Sequence, residues 1–232
     1  MIQAVLFDLY ETLITEWEDN QKKATYSIAP LGINEKEYKV EWAKRVEKRM
    51  DGTYPDHQTV LREIVTSLGK SVDEQVIEEV HQQRVSTKLK PFQEIDSKII
   101  NMLQALRKRN VKIGLISNCT PEEVIGFKDS RLAKLFDDVI FSYKVKQAKP
   151  NAEIYLTACQ NLKVSPESCL FIGDGGSNEL RGASMVGMQS FQAVWFLPAY
   201  ISERITEFPK LENPMQVLDL IAKGSTTNEE ID

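Results

Sequence analysis

The chain has 232 residues, a formal net charge of −5 and 42% hydrophobic residues. That length fits one large domain or a core with a modest insertion, and the mild acidity gives no reason to expect a nucleic-acid binder. The longest apolar runs are too short to span a bilayer, and Met1-Ile2-Gln3 lacks the positive charge that opens a signal peptide.

The first element is the apolar run Val5-Leu6-Phe7, which reads as a strand buried on both faces in the middle of a parallel sheet. Asp8 follows at its carboxyl end, where open α/β sheets bind ligands. From Trp17 to about Leu89 the texture is helical. Lys36 to Met50 reads as one helix, and Val60, Leu61, Ile64, Val65 and Leu68 follow the i, i+3/i+4 pattern. Asp73 to Leu89 forms another helical stretch, and Trp17, Trp42 and Tyr54 read as core packing. His57 and His81 lie far from each other and from any ligand-like cluster in the sequence, which argues against zinc. Cys119, Cys159 and Cys169 have no metal spacing and are expected to be reduced thiols of a cytoplasmic protein.

Pro91-Phe92 marks the return to a core. Ile95 to Arg109 is a helix, followed by the strand Val111–Ile116 and then Ser117-Asn118. Short helices from Pro121 and around Leu132 lead to the strand Asp138–Phe141. Lys149-Pro150 opens the next helix, since proline is at ease in a first turn. Ser168–Ile172 is a strand closed by Gly173-Asp174-Gly175-Gly176, a helix runs from Ser177, and Met188 to Trp195 is a fifth strand. This alternation predicts a doubly wound parallel sheet built from residues 1–15 and 91–232, with a helical insertion over 16–90. The polar, acidic end, 224–232, is expected to fray.

Four strand ends carry chemistry. Asp8 offers a carboxylate nucleophile. Ser117 offers a hydroxyl and Asn118 an amide to a ligand oxygen, and Lys149 a point positive charge for an anionic group. Asp174 and Glu179 would surround a hard cation with oxygens. Singly these are a turn aspartate, a cap serine, a solvated lysine and acids at a helix start. Their succession at strand ends gives them weight.

Taken together, these segments resemble the motifs of the haloacid dehalogenase superfamily, hydrolases with an aspartate nucleophile. Asp8-Leu9-Tyr10-Glu11-Thr12 is similar to the first motif, DxDxT. Ser117 matches the second, Lys149-Pro150 the third, and Gly173-Asp174 with Glu179 the fourth. The resemblance implies a Rossmann-like core with a helical C1-type cap over 16–90. It implies Mg²⁺ held by Asp8, the backbone carbonyl of Tyr10, Asp174 and Glu179. It further implies a small phosphorylated substrate, no nucleic acid or membrane partner, and an aspartyl phosphate on Asp8. Lys149 and Ser117 would neutralise the phosphoryl oxygens while Thr12 supports the nucleophile loop.

Two departures stand out. Family phosphatases carry a second Asp where this chain has Tyr10, a tyrosine that resembles the haloacid dehalogenases, as does Tyr155. Those enzymes use no metal, whereas Asp174 and Glu179 resemble the Mg²⁺-dependent phosphatases. Arg45 lies near the place of the dehalogenase cap arginine, but in a different register relative to Trp42. Phosphoryl transfer is the leading reading, metal-free dehalogenation the alternative, and a non-catalytic binding module the third. With Tyr10 at this place, protonation of the leaving group is the open step. Glu11, in an extended strand end, is expected to face away from the site.

Overall fold

The computed structural model describes residues 1–223, so the fraying expected of 224–232 lies outside the described residues. In chain order the elements begin with strand β1 (Ala4–Phe7) and a hairpin of β2 (Trp17–Glu18) and β3 (Gln21–Lys22). Helices α1 (Glu35–Lys44), α2 (Val46–Met50), α3 (His57–Ser67), α4 (Glu74–Gln93) and α5 (Ser97–Lys108) follow. Then come β4 (Lys112–Ser117), β5 (Asp138–Phe141), α6 (Ser142–Val145), α7 (Ala152–Leu162) and β6 (Cys169–Gly173). The chain continues through α8 (Glu179–Met185), β7 (Gln189–Ala193), α9 (Ala199–Ser202), β8 (Lys210–Leu211) and α10 (Val217–Lys223).

Six strands form one parallel sheet in the order β5-β4-β1-β6-β7-β8. β1 lies inside it, and all four of its residues are fully buried. Its alternation explains why no polar residue interrupts it. Val5 and Phe7 enter one apolar cluster with Ile113, Leu115, Leu170 and the α5 residues Ile99 and Leu103. Ala4 and Leu6 enter a second with Ile116, Phe171 and the α7 residues Ile154 and Ala158. Both faces are covered by helices, so each β1 side chain is removed from water whichever way it points. The fold is therefore the doubly wound Rossmann-like sheet expected from the alternation of elements.

The hairpin and α1 to α4 form an insertion with an apolar cluster of its own around Leu31, Leu61, Ile64, Ile77 and Val80. Several local expectations are corrected here. Trp17 is 42% exposed on the hairpin and is not core packing. The helix expected over Lys36 to Met50 breaks at Arg45, whose amide turns back to Trp42 and Ala43. α4 passes through Pro91 and ends two residues later at Gln93, so the missing N–H costs the helix a bond in its last turn. Around Leu132 there is no helix: successive three-residue turns carry the chain to β5. His57 and His81, distant in sequence, lie with ring centroids 5.6 Å apart and planes tilted by 34° because α3 packs on α4. Among the described residues no helix is long and apolar enough to cross a membrane.

One helix contact positions the site. α8 approaches the segment before α7 so closely that a Cβ built on Gly182 would lie 2.7 Å from the Pro150 carbonyl oxygen and 2.8 Å from the Tyr155 hydroxyl. The helix gain of a Gly→Ala change is about 1 kcal/mol, whereas overpacking against backbone costs about 1–3 kcal/mol. Overpacking wins, so Gly182→Ala is expected to lower the thermal midpoint, read by calorimetry. A raised midpoint would mean that the two segments part freely.

Candidate active site

The carboxyl edge of the sheet gathers the predicted strand ends into one place. Asp8 leaves β1 with its amide bonded to the Ile172 carbonyl (2.9 Å) and its side chain buried. Lys149, on the loop before α7, is buried between Asp8 and Glu179. Its Nζ donates to Asp8 Oδ1 and to Glu179 Oε2, the latter at 2.5 Å. Ser117 closes β4 and is also buried. Thr12 Oγ1 stands 3.5 Å from Asp8 Oδ2, and the Thr12 carbonyl accepts from Trp195 Nε1 at 2.9 Å.

The residue types here follow from the geometry. Lys149 lies outside the helix it was expected to open: α7 begins at Ala152, capped by Asn151, whose side chain accepts from the Glu153 amide. Asn118 holds the lysine's backbone instead. Its amide donates to the Lys149 carbonyl and accepts from the Lys149 N–H, both at 2.8 Å. Asn118 is thus bonded on both sides and sets where Lys149 begins. Glu179, the first residue of α8, accepts from the Gly175 amide at 3.0 Å, and its carbonyl accepts from the buried Tyr155 hydroxyl at 2.9 Å. A Cβ at Gly173 would fall 2.1 Å from Glu179 Oε1, so only glycine lets that carboxylate lie against the strand end. Asp174 accepts from the Gly176 amide at 2.8 Å and is only half-buried.

Electrostatics follow from this crowding. Burial raises the pKa of Asp8, and the Asp174 charge adds to it, against the lowering effect of Lys149. Burial, then Asp8, push Glu179 well above the ordinary carboxylate range. Burial alone would lower the Lys149 pKa, but Asp8 and Glu179 outweigh it and hold the ammonium charged. Asp8 and Glu179 therefore share one cation, with Asp174 close by. Asp8, Asp174 and Glu179 each offer an oxygen, and these oxygens lie within 4.8 Å of one another. Among the described residues this is the one group of His, Cys, Asp or Glu with that arrangement. An all-oxygen donor set with surplus negative charge fits a hard divalent cation.

Tyr10 and Glu11 sit differently from their sequence reading. The Tyr10 hydroxyl donates to the Glu123 backbone carbonyl at 2.5 Å, and Lys88 Nζ lies 4.9 Å from the centre of its ring. Burial raises its pKa well above the usual phenol value, with Glu123 and Glu16 adding to the shift. Glu11 is not in an extended strand end but in a left-handed turn with φ of 56°. Its carboxylate accepts from Thr15 Oγ1 at 2.5 Å and from the Glu16 amide at 3.0 Å. Burial raises its pKa, and the charge of Asp174 contributes to the rise.

Sequence reasoning passed over the wall between insertion and core. Arg84 is buried and paired with Glu122 at 2.9 Å and Glu123 at 2.6 Å, and Lys88 reaches Glu16 at 2.7 Å and Glu123 at 3.5 Å. Two signals were available. Arg84 occupies the apolar stripe of Ile77 and Val80, where a charge needs a buried partner. Thr120 to Glu123 forms a capping box, whose Glu123 accepts from the Thr120 amide. Arg45, considered from sequence, is tied to Glu41 at 2.6 Å and Glu63 at 3.2 Å within the insertion.

A family model described as haloacid dehalogenase-like hydrolase matches residues 2–187. A curated relative from Clostridium perfringens strain 13, named "Putative pyrophosphatase PpaX", is 27% identical over 96% of this chain and 99% of its own length. A glyceraldehyde 3-phosphate phosphatase of Methanopyrus kandleri is 26% identical over 81% of this chain and 82% of its own. Among solved structures, a 2-haloacid dehalogenase from Pseudomonas syringae pv. tomato DC3000 superposes with a TM-score of 0.64. It covers 97% of this chain and 100% of its own, at 19% identity, and so shares the fold.

Glu123 yields a pH prediction. Burial would raise its pKa, but Lys88, Arg84 and the Thr120 amide outweigh that and bring it from 4.5 down to about 2. A depressed carboxylate stabilises the fold above its unfolded pKa and loses that contribution as pH falls through the folded value. Between pH 4.5 and 2 the wild type is therefore expected to lose stability on the order of 3 kcal/mol from this group. Glu123→Gln should start less stable at pH 7 and show a shallower acid limb. Urea midpoints measured against pH check it, and parallel acid limbs would count against it.

Proposed function

Because the chain belongs to the haloacid dehalogenase-like hydrolase family, we propose that it is a Mg²⁺-dependent phosphatase of small phosphorylated compounds, working in the cytoplasm through an aspartyl phosphate on Asp8. The observation that carries this reading is the trio of Asp8, Asp174 and Glu179 with Lys149 alone among them. Three carboxylates so close repel one another unless a further cation joins them. The phosphatase names of the two curated relatives support the same choice.

Asp8, Asp174, Glu179 and the Tyr10 carbonyl would hold the cation. When bound, Mg²⁺ neutralises charge on the phosphoryl oxygens and orients them for in-line displacement. The remaining steps belong to this chain's side chains. An Asp8 oxygen forms a bond to phosphorus as the bond from phosphorus to the ester oxygen breaks. Lys149 Nζ, fixed by Asn118 through its backbone, directs N–H bonds to the phosphoryl oxygens, and the Ser117 hydroxyl joins it. Thr12 steadies the loop that carries Asp8. Water then attacks the aspartyl phosphate, releasing inorganic phosphate and restoring the carboxylate. Residues 16–90 act as a cap that closes over the substrate and sheds water.

Tyr10 sets the limit on this chemistry. Its hydroxyl is already committed to the Glu123 carbonyl, and a phenol whose pKa is raised further is a poor acid at neutral pH. The departing oxygen therefore leaves without strong help from the position after Leu9. Aryl and acyl phosphates, whose leaving groups are stable as anions, should turn over better than alkyl esters.

The decisive experiment is a phosphatase screen with and without chelator. Activity that requires Mg²⁺ and vanishes in Asp8→Asn and Asp174→Asn is the expected outcome. Halide release from a 2-haloacid without metal would overturn it in favour of dehalogenation, the reading that Tyr10 favours. Absence of both activities would favour the non-catalytic module. General acid assistance is worth roughly 10²–10⁴-fold, so Tyr10→Asp should raise alkyl phosphate turnover toward that range and leave aryl substrates nearly unchanged. Rates plotted against leaving-group pKa for both proteins check this.

A further inference from the structure

Lys149 holds two members of the acidic trio, Asp8 and Glu179. The third, Asp174, is half-buried and sits in the turn between β6 and α8, on neither strand nor helix. Two bonds fix it. Its carboxylate accepts from the Gly176 amide at 2.8 Å, a bond made within the turn. Its carbonyl accepts from Gln192 Nε2 at 3.0 Å, a bond that comes from another strand.

Gln192 is an unexpected residue for its place. It belongs to β7, inside the sheet, and is fully buried, where strands covered on both faces are ordinarily apolar. Both neighbouring strands fix its backbone. It is in register with Gly173 of β6 and Lys210 of β8, and its amide donates to the Pro209 carbonyl at 2.8 Å. The side chain therefore starts from a set place. Its Oε1 is buried without a hydrogen-bond partner among the described residues. An orphaned amide oxygen costs stability, and an apolar side chain of the same length would avoid that cost. The half of the amide that bonds is the half that reaches Asp174. Turning the oxygen there would set two acceptors against each other, so the carbonyl dictates the orientation. Ile205 packs on the next residue so closely that a Cβ built on Gly175 would lie 2.2 Å from its Cδ1. The turn is thus pinned at two consecutive residues.

We propose that Gln192 is the positioning residue for the cation-holding carboxylate of Asp174. This rests on the Mg²⁺-dependent reading of the site. Before a cation arrives, Asp8 and Glu179 repel Asp174, and water on its open side draws it outward. A turn free to follow that pull would carry the carboxylate away from the other two. By gripping the Asp174 carbonyl, Gln192 holds the turn against it, so the three oxygens stay within 4.8 Å of one another. The orphaned oxygen is the cost of placing a donor there. Its return is a site assembled in advance, which shows as cation affinity.

Mn²⁺ binding to the full chain, read from the electron paramagnetic resonance of the free ion, tests this without turnover. The wild type is expected to take up one equivalent, displaced by Mg²⁺. Gln192→Met keeps the length and loses the donor. It should bind Mn²⁺ about tenfold or more weakly, the usual consequence of removing a group that orients a metal ligand. In chelator it should melt with the wild type, because losing one bond is offset by losing the orphaned oxygen. The rise in midpoint with added Mg²⁺ should then begin at about tenfold higher concentration. Gln192→Asn falls a methylene short of the carbonyl, should show the same loss, and serves if Gln192→Met does not fold. Unchanged Mn²⁺ affinity in these variants would overturn the proposal and leave the phosphatase reading standing. A midpoint lowered equally with and without Mg²⁺, or failure of both variants to fold, would overturn it too, since the bond would then be purely structural. A wild type that takes up no Mn²⁺ would remove the metal reading itself, and the proposal with it.

Discussion

The arrangement depends on one buried ammonium. Lys149 Nζ touches Asp8 and Glu179 at once, so residues 141 and 30 positions away in the chain must converge on one atom. A buried charge pair adds little net stability, because desolvation offsets most of the attraction, but removing one partner is costly. The surrounding fold holds the three groups where their attraction can act. β1 and β6 run side by side and deliver Asp8 and Gly173 to the same edge. Gly173 and Gly182 leave room where any side chain would hold α8 away. Asn118 fixes the lysine from its backbone, so the long side chain starts from a set place. Function at the edge and close packing beneath it are one constraint seen from two sides.

Tyr10 shows how the insertion is bound to that edge. Its ring lies under Lys88 and its hydroxyl ends on the Glu123 carbonyl, while Arg84 from the same helix as Lys88 grips Glu122 and Glu123. Tyr10, two places after Asp8, is therefore a structural tie between core and insertion. An aspartate there would be too short to reach the same carbonyl. A tyrosine at this place thereby fixes the wall between insertion and core.

The sheet was legible because its strands are short and apolar and bounded by turn residues, and because β1, β4 and β6 lead directly into polar residues or glycine. Asp8, Ser117 and Asp174 were readable for the same reason, whereas Lys149 lies on the loop before α7 and Glu179 opens α8. What escaped were features set by partners remote in sequence. Nothing around His57 announces His81, and nothing around Arg84 announces Glu123, although a charge on the stripe of Ile77 and Val80 hinted at it. The hairpin at Trp17 and Lys22 was missed because two-residue strands carry no periodicity. Glu11 was misjudged in its backbone, which is left-handed and not extended. Asn118 offered its amide to a ligand on paper, and only the fold reveals that Lys149 takes both ends of it.

The insertion joins the core by two crossings, and these are not independent. Glu16 on the way out holds Lys88 on the way back at 2.7 Å, and Lys23 reaches Glu94 at 3.4 Å. Glu11, beside the nucleophile loop, grips the Glu16 amide and the Thr15 hydroxyl. Two unconnected tethers would move separately, whereas crossings joined by ion pairs behave as one strap. Because the stitches are ion pairs, dissolved salt loosens them. Ionic strength then sets how firmly the two crossings hold together, at the root of the insertion and away from the sheet edge.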